Sequence, residues 1–463
     1  MRKMAGLALM IGAALAAGCN SNNDSSAPAP GAKNVIFFLG DGMGLNTLTA
    51  ARIYGVGEEG SLTIDTLPET AFIKTFSHDA QVTDSAPSMS AYMTGVKSNN
   101  GVISMDSDAT QESNCSKSGG KPVTTLLELA KAAGRGTGVV TTTRVTHATP
   151  AATYAHLCNR DLEADIAAQL VPGGVGYNSA LKEGVDVVLG GGSSFFLPKA
   201  DKGKREDGRN LIDEMKAKGY QFAGNLDELN KAEAGKPLLG LFGSSHMKYD
   251  LDRPASEPSL AQMTLAAIKQ LKDQKQGYFL MVEGGRIDHA LHDTNAKRAL
   301  QDTLAFDNAI KATLDEVKKT DPELKNTLIV VTADHDHTLV LNGYAKRTGK
   351  TTADNPGVLG LVRNYETGEP SKDADGMPYT IIGFGNGYNR VDGPRSSVAP
   401  LDDATVSAND YHQEVVVKVG EIGNETHGGT DVFLGAIGQG ADSFHGSLDN
   451  TAVFGKVKAA AGL

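Results

Sequence analysis

The sequence has little of several features that would place it in a special class of protein. Basic residues number 44 against 55 acidic ones, giving a formal net charge of −11, which argues against nucleic acid as a specific partner. No internal repeat is present, and no stretch after the N-terminal segment is apolar over the length that a membrane-spanning helix needs. The chain as a whole contains 40% hydrophobic and 21% charged residues, which is the composition of a globular protein.

Cysteine is also scarce, and the first of the three lies near the N-terminus. Arg2 and Lys3 precede a short apolar stretch at 5–17, a pattern typical of a signal peptide. Residues 15–19, Leu-Ala-Ala-Gly-Cys, resemble a lipoprotein cleavage site, whereas Ala-Leu-Ala at 14–16 suits ordinary signal peptidase, so both routes stay open. We expect a signal peptide over 1–18, a flexible tether over 19–33, and an exported protein that is periplasmic or anchored to the outer membrane through a lipid on Cys19.

The other two cysteines are Cys115 and Cys158. An exported protein with two remaining cysteines favours their pairing, so we expect a disulfide between them. Two unrelated thiols are the alternative, because the sequence does not give their separation in space.

Apolar, strand-like runs alternate with helix-like segments along the chain. The sequence predicts strands at 34–39, 137–141, 185–189, 278–282 and 328–332, and helices at 124–133, 210–218 and 259–272. This alternation indicates an α/β fold with a mostly parallel sheet, whose ligands bind beyond the carboxyl ends of the strands. Residues 339–426 differ, with scattered Pro, Gly, Asp and Asn around short strand-like pieces such as 379–383, and we interpret them as a small inserted subdomain.

Residues of the types that bind metals follow three of the strand-like runs and precede a fourth, at 432–437. Asp288 and His292 are spaced i, i+4, so a helix places both on one face. Any one of these residues could be structural, but their recurrence at separate strand ends indicates a polynuclear metal site. Imidazole-containing sets suit zinc, whereas oxygen-only sets suit magnesium. The residues are Asp41, Glu283, Asp288, His292, Asp334, His335, His337 and His427.

Two further segments carry candidate catalytic residues. Ser85 lies in Thr-Asp-Ser-Ala-Pro at 83–87, where a helix is expected to begin and either Asp84 or Ser85 can cap it. Ser85 is therefore either a simple helix-capping residue or a nucleophile near the positive end of the helix dipole. No G-x-S-x-G turn is present, so a metal rather than a base would activate the hydroxyl. Downstream, His147 and Thr149 could bind an ion, and Arg160 is interpreted as ending a helix, either as a dipole partner or as a bidentate phosphate clamp.

Taken together, these motifs resemble the alkaline phosphatase family from residue 34 to the C-terminus. The resemblance rests on their joint presence in one order, since each motif alone is weak. The motifs are Gly-Asp-Gly-Met-Gly at 40–44, Thr-Asp-Ser-Ala at 83–86, the block with His147, Thr149 and Arg160, Glu-x4-Asp-x3-His from Glu283 to His292, Thr-Ala-Asp-His-x-His at 332–337, and Thr-His-Gly-Gly at 426–429.

The resemblance implies a three-layer α/β sandwich over 34–463, with helices on both faces of the sheet. It implies a Ser85 nucleophile, a phosphate-binding Arg160, two zinc ions and one magnesium ion. Asp288, His292 and His427 would hold the first zinc, Asp41, Asp334 and His335 the second, and Asp41, Thr149 and Glu283 the magnesium, with His147 nearby through water. His337 would support the first zinc site indirectly. His147 and His289 stand where the enterobacterial enzyme has Asp and Lys, which is closer to the animal-type pattern.

The implied activity is hydrolysis of a broad range of phosphate monoesters at alkaline pH by a homodimer, with 339–426 at the dimer interface. Three other functions fit the sequence less well. A sulfatase needs a modification motif that the sequence lacks, and a diesterase is disfavoured by Arg160 and the third metal site. A surface lipoprotein that binds metal or phosphate without turnover leaves Ser85 unexplained.

Overall fold

The computed structural model of the protein describes residues 31–463. The expected signal peptide, most of the tether and the lipidation of Cys19 lie outside these residues, so they stay predictions. Among the described residues, no helix combines the length and the apolar character needed to cross a membrane.

A ten-stranded sheet forms the centre of the fold and is flanked by helices. Most of its neighbouring strands are parallel, whereas β14 runs antiparallel to both β2 and β8. The order across the sheet is β15-β2-β14-β8-β1-β7-β3-β4-β6-β5. The strands are β1 Asn34–Gly40, β2 Glu69–Lys74, β3 Gly136–Arg144, β4 Val187–Gly191, β5 Gln221–Ala223, β6 Leu238–Leu241, β7 Tyr278–Gly284, β8 Thr327–Ala333, β14 Val432–Gly438 and β15 Gly446–Asp449.

The helices of residues 31–463 mostly connect these strands. They are α1 Leu45–Val56, α2 Ser85–Thr94, α3 Leu126–Ala132, α4 Ala148–Tyr154, α5 Glu163–Ala168, α6 Leu211–Ala217, α7 Leu226–Lys231, α8 Leu260–Leu271, α9 Arg286–His292, α10 Ala296–Val317, α11 Asp403–Val406 and α12 Asn450–Ala461. The predicted α/β fold with a mostly parallel sheet is confirmed. All five of these predicted strands and all three predicted helices are present, with ends that differ by at most three residues.

One small sheet comes from residues 339–426, which differ in composition, and a second is formed by the residues that flank this region. The first contains β10 Leu339–Leu341, β11 Ile382–Gly387 and β12 Val415–Lys418 in that order, and the second pairs β9 Asp336–His337 with β13 His427–Gly428. The strand predicted at 379–383 begins three residues later than expected. Thr380 instead forms an isolated bridge with Leu361, and its hydroxyl donates to the Ile382 carbonyl at 2.6 Å.

The three central strands place several of the candidate functional residues at one edge of the sheet. β1 lies between β7 and β8 and is parallel to both, with Gly40 opposite Gly284 on one side and Ala333 on the other. These strands are almost fully buried, which explains their uninterrupted apolar sequences. Residues at or just after their carboxyl ends, namely Asp41, Glu283 and Asp334, therefore meet at the same edge.

Candidate active site

Asp288, His292 and His427 form the first of three adjoining clusters. α9 places Asp288 and His292 on one face, as the i, i+4 spacing predicted, with Nε2 of the histidine 3.2 Å from the carboxylate. His427 brings its Nε2 to 3.1 Å from Nε2 of His292 and 3.6 Å from Asp288.

The tautomers of these two rings indicate that a cation belongs between them. Nδ1 of His427 lies 2.8 Å from the Thr83 carbonyl, and Nδ1 of His292 lies against the Glu425 carbonyl. Because a carbonyl only accepts, each Nδ1 carries the hydrogen, and the two Nε2 lone pairs face each other beside a carboxylate. Burial favours the neutral form of Asp288, but the neighbouring His292 and His337 hold its pKa well below the ordinary value.

The second cluster surrounds Ser85. Its Oγ lies 3.2 Å from Nε2 of His335 and 3.3 Å from Oδ1 of Asp41. The same Nε2 lies 3.4 Å from Asp41 and 3.5 Å from Oδ2 of Asp334. That Oδ2 atom is buried without a hydrogen-bond partner, while Oδ1 accepts from the backbone N–H groups of Gly42 and His335 at 3.0 Å each. Burial and the nearby Asp41 carboxylate raise the pKa of Asp334 to about 7.

The third cluster is mostly oxygen. Thr149 Oγ1 lies 3.5 Å from Oδ2 of Asp41, and Glu283 accepts hydrogen bonds from Thr141 and Thr143. The other oxygen of Glu283 and Nδ1 of His147 are buried and have no partner, although both side chains offer a ligand atom close to Asp41. Burial raises the pKa of Glu283 to about 8.

These donor sets fit divalent cations. Asp41, Glu283, Asp288 and Asp334 are four buried carboxyl groups in one small region, an arrangement that is costly unless positive charge compensates it. The buried atoms without partners, Oε1 of Glu283 and Oδ2 of Asp334, point to the same conclusion. The first two sets contain imidazole and suit zinc, whereas the third suits magnesium.

The backbone at the end of β1 passes very close to the first cluster. Gly42 has a φ of +66°, and a Cβ there would lie 2.5 Å from Nε2 of His337. A side chain is therefore excluded at this position for both conformational and steric reasons. The glycine lets the chain turn so that Asp41 and His337 occupy the same small volume.

Ser85 is the first residue of α2, as the sequence predicted. Asp84 precedes it as the capping residue and accepts from the Ala86 backbone N–H at 2.7 Å, so Ser85 does not itself serve as the cap. Its side chain is nearly buried and faces the second cluster. The interpretation of Ser85 as a simple capping residue is therefore wrong.

Arg160 also lies beside this site, but it does not end a helix. α4 stops at Tyr154, so the interpretation of Arg160 as a helix-dipole partner is wrong. Arg160 instead lies in a turn whose backbone N–H donates to the Gly101 carbonyl at 2.8 Å. Its guanidinium contacts Asp84 and Nε2 of His147, both at 3.1 Å. The helix ends at Tyr154 because Ala155 adopts an extended conformation and Leu157 then forms an antiparallel bridge with Ile103.

Cys115 and Cys158 form a disulfide in the structure. Cys158 is fully buried and precedes Arg160 by two residues. The bond therefore ties the loop around Cys115 to the segment that carries the arginine.

Sequence reasoning missed several residues that line the site. His246 packs against His289 with ring centroids 4.2 Å apart and against His147 at 5.3 Å, and its ring also contacts Arg144. Glu425 bonds to His337, which in turn lies 2.8 Å from Asp288. His246 stands alone in a loop with no metal-ligand spacing, so no local signal identified it. Glu425 lies two residues before His427, and that proximity was the only available signal.

The comparisons with known proteins agree with this geometry. A family model described as alkaline phosphatase matches residues 32–463. Human tissue-nonspecific alkaline phosphatase is 38% identical over 456 residues, covering 90% of this chain and 81% of that protein. A membrane-bound alkaline phosphatase of Bombyx mori is also 38% identical, covering 91% of this chain and 78% of its own length. The crystal structure of Thermus thermophilus alkaline phosphatase superimposes with a TM-score of 0.68 at 28% identity, covering 94% of this chain and 92% of that one.

Proposed function

Because this chain belongs to the alkaline phosphatase family and is a metal-binding hydrolase of phosphate monoesters, we propose that it works through a covalent phosphoserine formed on Ser85. The observation that carries the proposal is the position of Ser85. Its nearly buried Oγ faces both Asp41 and His335, and Arg160 contacts the neighbouring Asp84.

Three metal sites follow from the donor sets. Asp288, His292 and His427 would hold one zinc ion, Asp41, Asp334 and His335 a second, and Asp41, Thr149 and Glu283 a magnesium ion near His147. When bound, these ions supply positive charge that stabilises oxygen anions, including the serine alkoxide and the leaving group. The residues that hold them would keep that charge fixed beside Ser85.

The reaction has two displacements at phosphorus. Ser85 Oγ forms a bond to phosphorus while the ester oxygen leaves, and water then cleaves the phosphoserine to release inorganic phosphate. Arg160 can donate two N–H groups to non-bridging oxygens and so orient the phosphoryl group. Because these contacts recognise the phosphoryl group and not the alcohol, we expect a broad substrate range and, with a serine alkoxide as nucleophile, an alkaline optimum.

Export, anchoring and domain organisation belong to the same proposal. Residues 1–18 would be a signal peptide and 19–33 a tether, with the catalytic domain over 34–463. Cys19 would carry a lipid if the lipoprotein route is taken, and the protein would be periplasmic or attached to the outer membrane. The disulfide between Cys115 and Cys158 supports an oxidising compartment.

We also propose a homodimer with residues 339–426 at the interface. The small sheet in this region exposes apolar side chains: Val416 is 73% exposed, Val417 51% and Val340 41%. Light scattering should give twice the chain mass for the wild-type protein and a smaller mass for Val416→Glu. A folded wild-type protein that scatters as a monomer at micromolar concentration would contradict the dimer.

The catalytic proposal is tested with p-nitrophenyl phosphate at alkaline pH. The purified protein supplied with zinc and magnesium should release phosphate, and the same protein stripped by a chelator should not until the ions are returned. Folded, metal-loaded protein without turnover would contradict the proposal. A phosphodiester substrate, assayed in parallel, distinguishes monoesterase from diesterase activity.

A further inference from the structure

Glu425 is a buried carboxylate close to the first cluster. Glu425 is only 1% exposed, although the preceding residues 421–424 of the same loop are all exposed. A carboxylate is rarely buried unless its oxygens are engaged. The hydrogen bonds made by the Glu425 oxygens therefore indicate its role.

Both oxygens of Glu425 are used within the protein. Oε2 lies 2.6 Å from Nδ1 of His337, and Oε1 accepts from the backbone N–H of Thr338 at 2.8 Å and from its hydroxyl at 2.5 Å. With these donors in place, the carboxylate is set to orient its neighbours. This separates Glu425 from the carboxylates whose oxygens lack partners.

The contacts of Glu425 lead to two of the three residues of the first cluster. The His337 ring, held at Nδ1 by the carboxylate, places Nε2 at 2.8 Å from Oδ1 of Asp288. The Glu425 backbone carbonyl accepts from Nδ1 of His292, which directs Nε2 of that ring into the cluster. Side chain and backbone of one residue thus fix Asp288 and His292 together.

We propose that Glu425 is a positioning residue for the first metal site, acting on Asp288 through the ring of His337. This inference rests on the proposed function and deepens it. Partners that orient metal ligands typically change metal affinity or activity by about 10- to 100-fold when they are removed. The affinity of this site for its metal is therefore the quantity that Glu425 controls.

Glu425→Gln is the informative variant because it keeps the shape of the side chain. The glutamine amide has only one oxygen, so it can accept a hydrogen bond from His337 or from Thr338 but not from both. Its NH₂ group then faces the N–H or O–H donor of the other residue, and one of the two hydrogen bonds is lost. The backbone carbonyl that holds His292 is unchanged. Glu421→Gln, in the exposed part of the same loop, is the matched control.

The measurement is metal affinity without substrate, by chelator competition with zinc and by the visible spectrum of the cobalt-substituted protein. Glu425→Gln should bind the ion of the first cluster about 10- to 100-fold less tightly and change the cobalt spectrum, whereas Glu421→Gln should match the wild type. Glu425→Asp, which retains both oxygens, should recover part of the loss.

A double-mutant cycle with His337→Asn tests the route of the effect. If Glu425 acts through the ring, Glu425→Gln should have little further effect once His337 is replaced. If Glu425→Gln does not fold, Thr338→Val, which removes one donor to Oε1, should still weaken affinity by a smaller factor. Wild-type affinity in a folded Glu425→Gln, or fully additive losses in the cycle, would overturn the inference. Failure of the proposed function would appear separately, as a wild-type protein that binds metal but does not hydrolyse monoesters.

Discussion

At the residue scale, the site contains several buried carboxyl groups close together, an arrangement that is unfavourable unless cations compensate the negative charge. Asp41, Asp334 and Glu283 are each fully buried, and burial raises the pKa of Asp334 to about 7 and of Glu283 to about 8. Both values mean that the groups resist ionisation when only protein surrounds them. Divalent cations remove that resistance, so metal binding and ionisation of these groups are linked.

Ser85→Ala tests the nucleophile directly. We expect hydrolysis of p-nitrophenyl phosphate to fall by about three orders of magnitude, because the attacking oxygen is lost. Zinc and magnesium content, measured by plasma mass spectrometry, should stay at the wild-type level, since Ser85 is not required as a ligand in any of the three sets. Retained turnover in Ser85→Ala would assign the nucleophile to another group.

Arg160 is expected to act on the phosphoryl group. Arg160→Ala should lower kcat/KM by about 10- to 100-fold, the range for loss of charged hydrogen bonds in a buried site. Arg160→Lys should have a kcat/KM between that of the wild type and that of Arg160→Ala, because a lysine keeps the charge but not the two parallel donors. Steady-state kinetics measure kcat/KM, and inhibition by inorganic phosphate measures binding of the phosphoryl group. Identical phosphate inhibition in wild type and Arg160→Ala would contradict the assigned role.

At the element scale, the parallel strands bring distant segments to one edge. β1, β7 and β8 were recognisable from uninterrupted apolar runs, and the metal-type residues after them were recognisable from their position. The pairing of β9 with β13, which sets His337 opposite His427, was not recognisable, because each strand has only two residues. His246 and Glu425 were missed for a similar reason: loops bring them to the site through tertiary contacts that leave no periodic pattern.

α10 carries a buried acid outside the metal clusters. Burial raises the pKa of Asp302 to about 8, and its Oδ2 accepts from the Asp250 backbone N–H at 3.1 Å. Between about pH 4 and about pH 8 the folded protein therefore holds a proton that the unfolded chain releases, so stability from this group is lost as pH rises.

Asp302→Asn should remove that pH dependence while retaining the acceptor oxygen. We expect a Tm close to that of the wild type near pH 4 and a higher Tm than the wild type near pH 9, by a few degrees or more. Asp315→Asn, on an exposed face of the same helix, is the control and should show no such divergence. Parallel pH profiles for wild type and Asp302→Asn would show that Asp302 is ionised in the fold.

At the scale of the whole molecule, the metal clusters join elements that are far apart in sequence. The first cluster links α9 to β13, and the second links the end of β1, the start of α2 and the end of β8. Ions bound there would therefore stabilise the whole fold and not a single loop.

Removal of the metals should accordingly lower thermal stability as well as activity. We expect a chelator to lower Tm by about 5 °C or more and the return of zinc and magnesium to restore it, because ligands that bind the folded state alone stabilise it by mass action. Differential scanning calorimetry measures the change. An unchanged Tm in protein shown to be free of metal would separate these sites from the stability of the fold.

The proposed mechanism requires a covalent phosphoserine on Ser85, and trapping this intermediate tests the mechanism. Wild-type protein turning over a phosphate monoester is quenched in acid, digested, and its peptides are analysed by mass spectrometry, with Ser85→Ala treated in the same way. We predict one added phosphoryl group on the peptide that contains Ser85, and none in the variant. Turnover with no phosphopeptide under any quench time, or a phosphoryl group on another residue, would contradict the account.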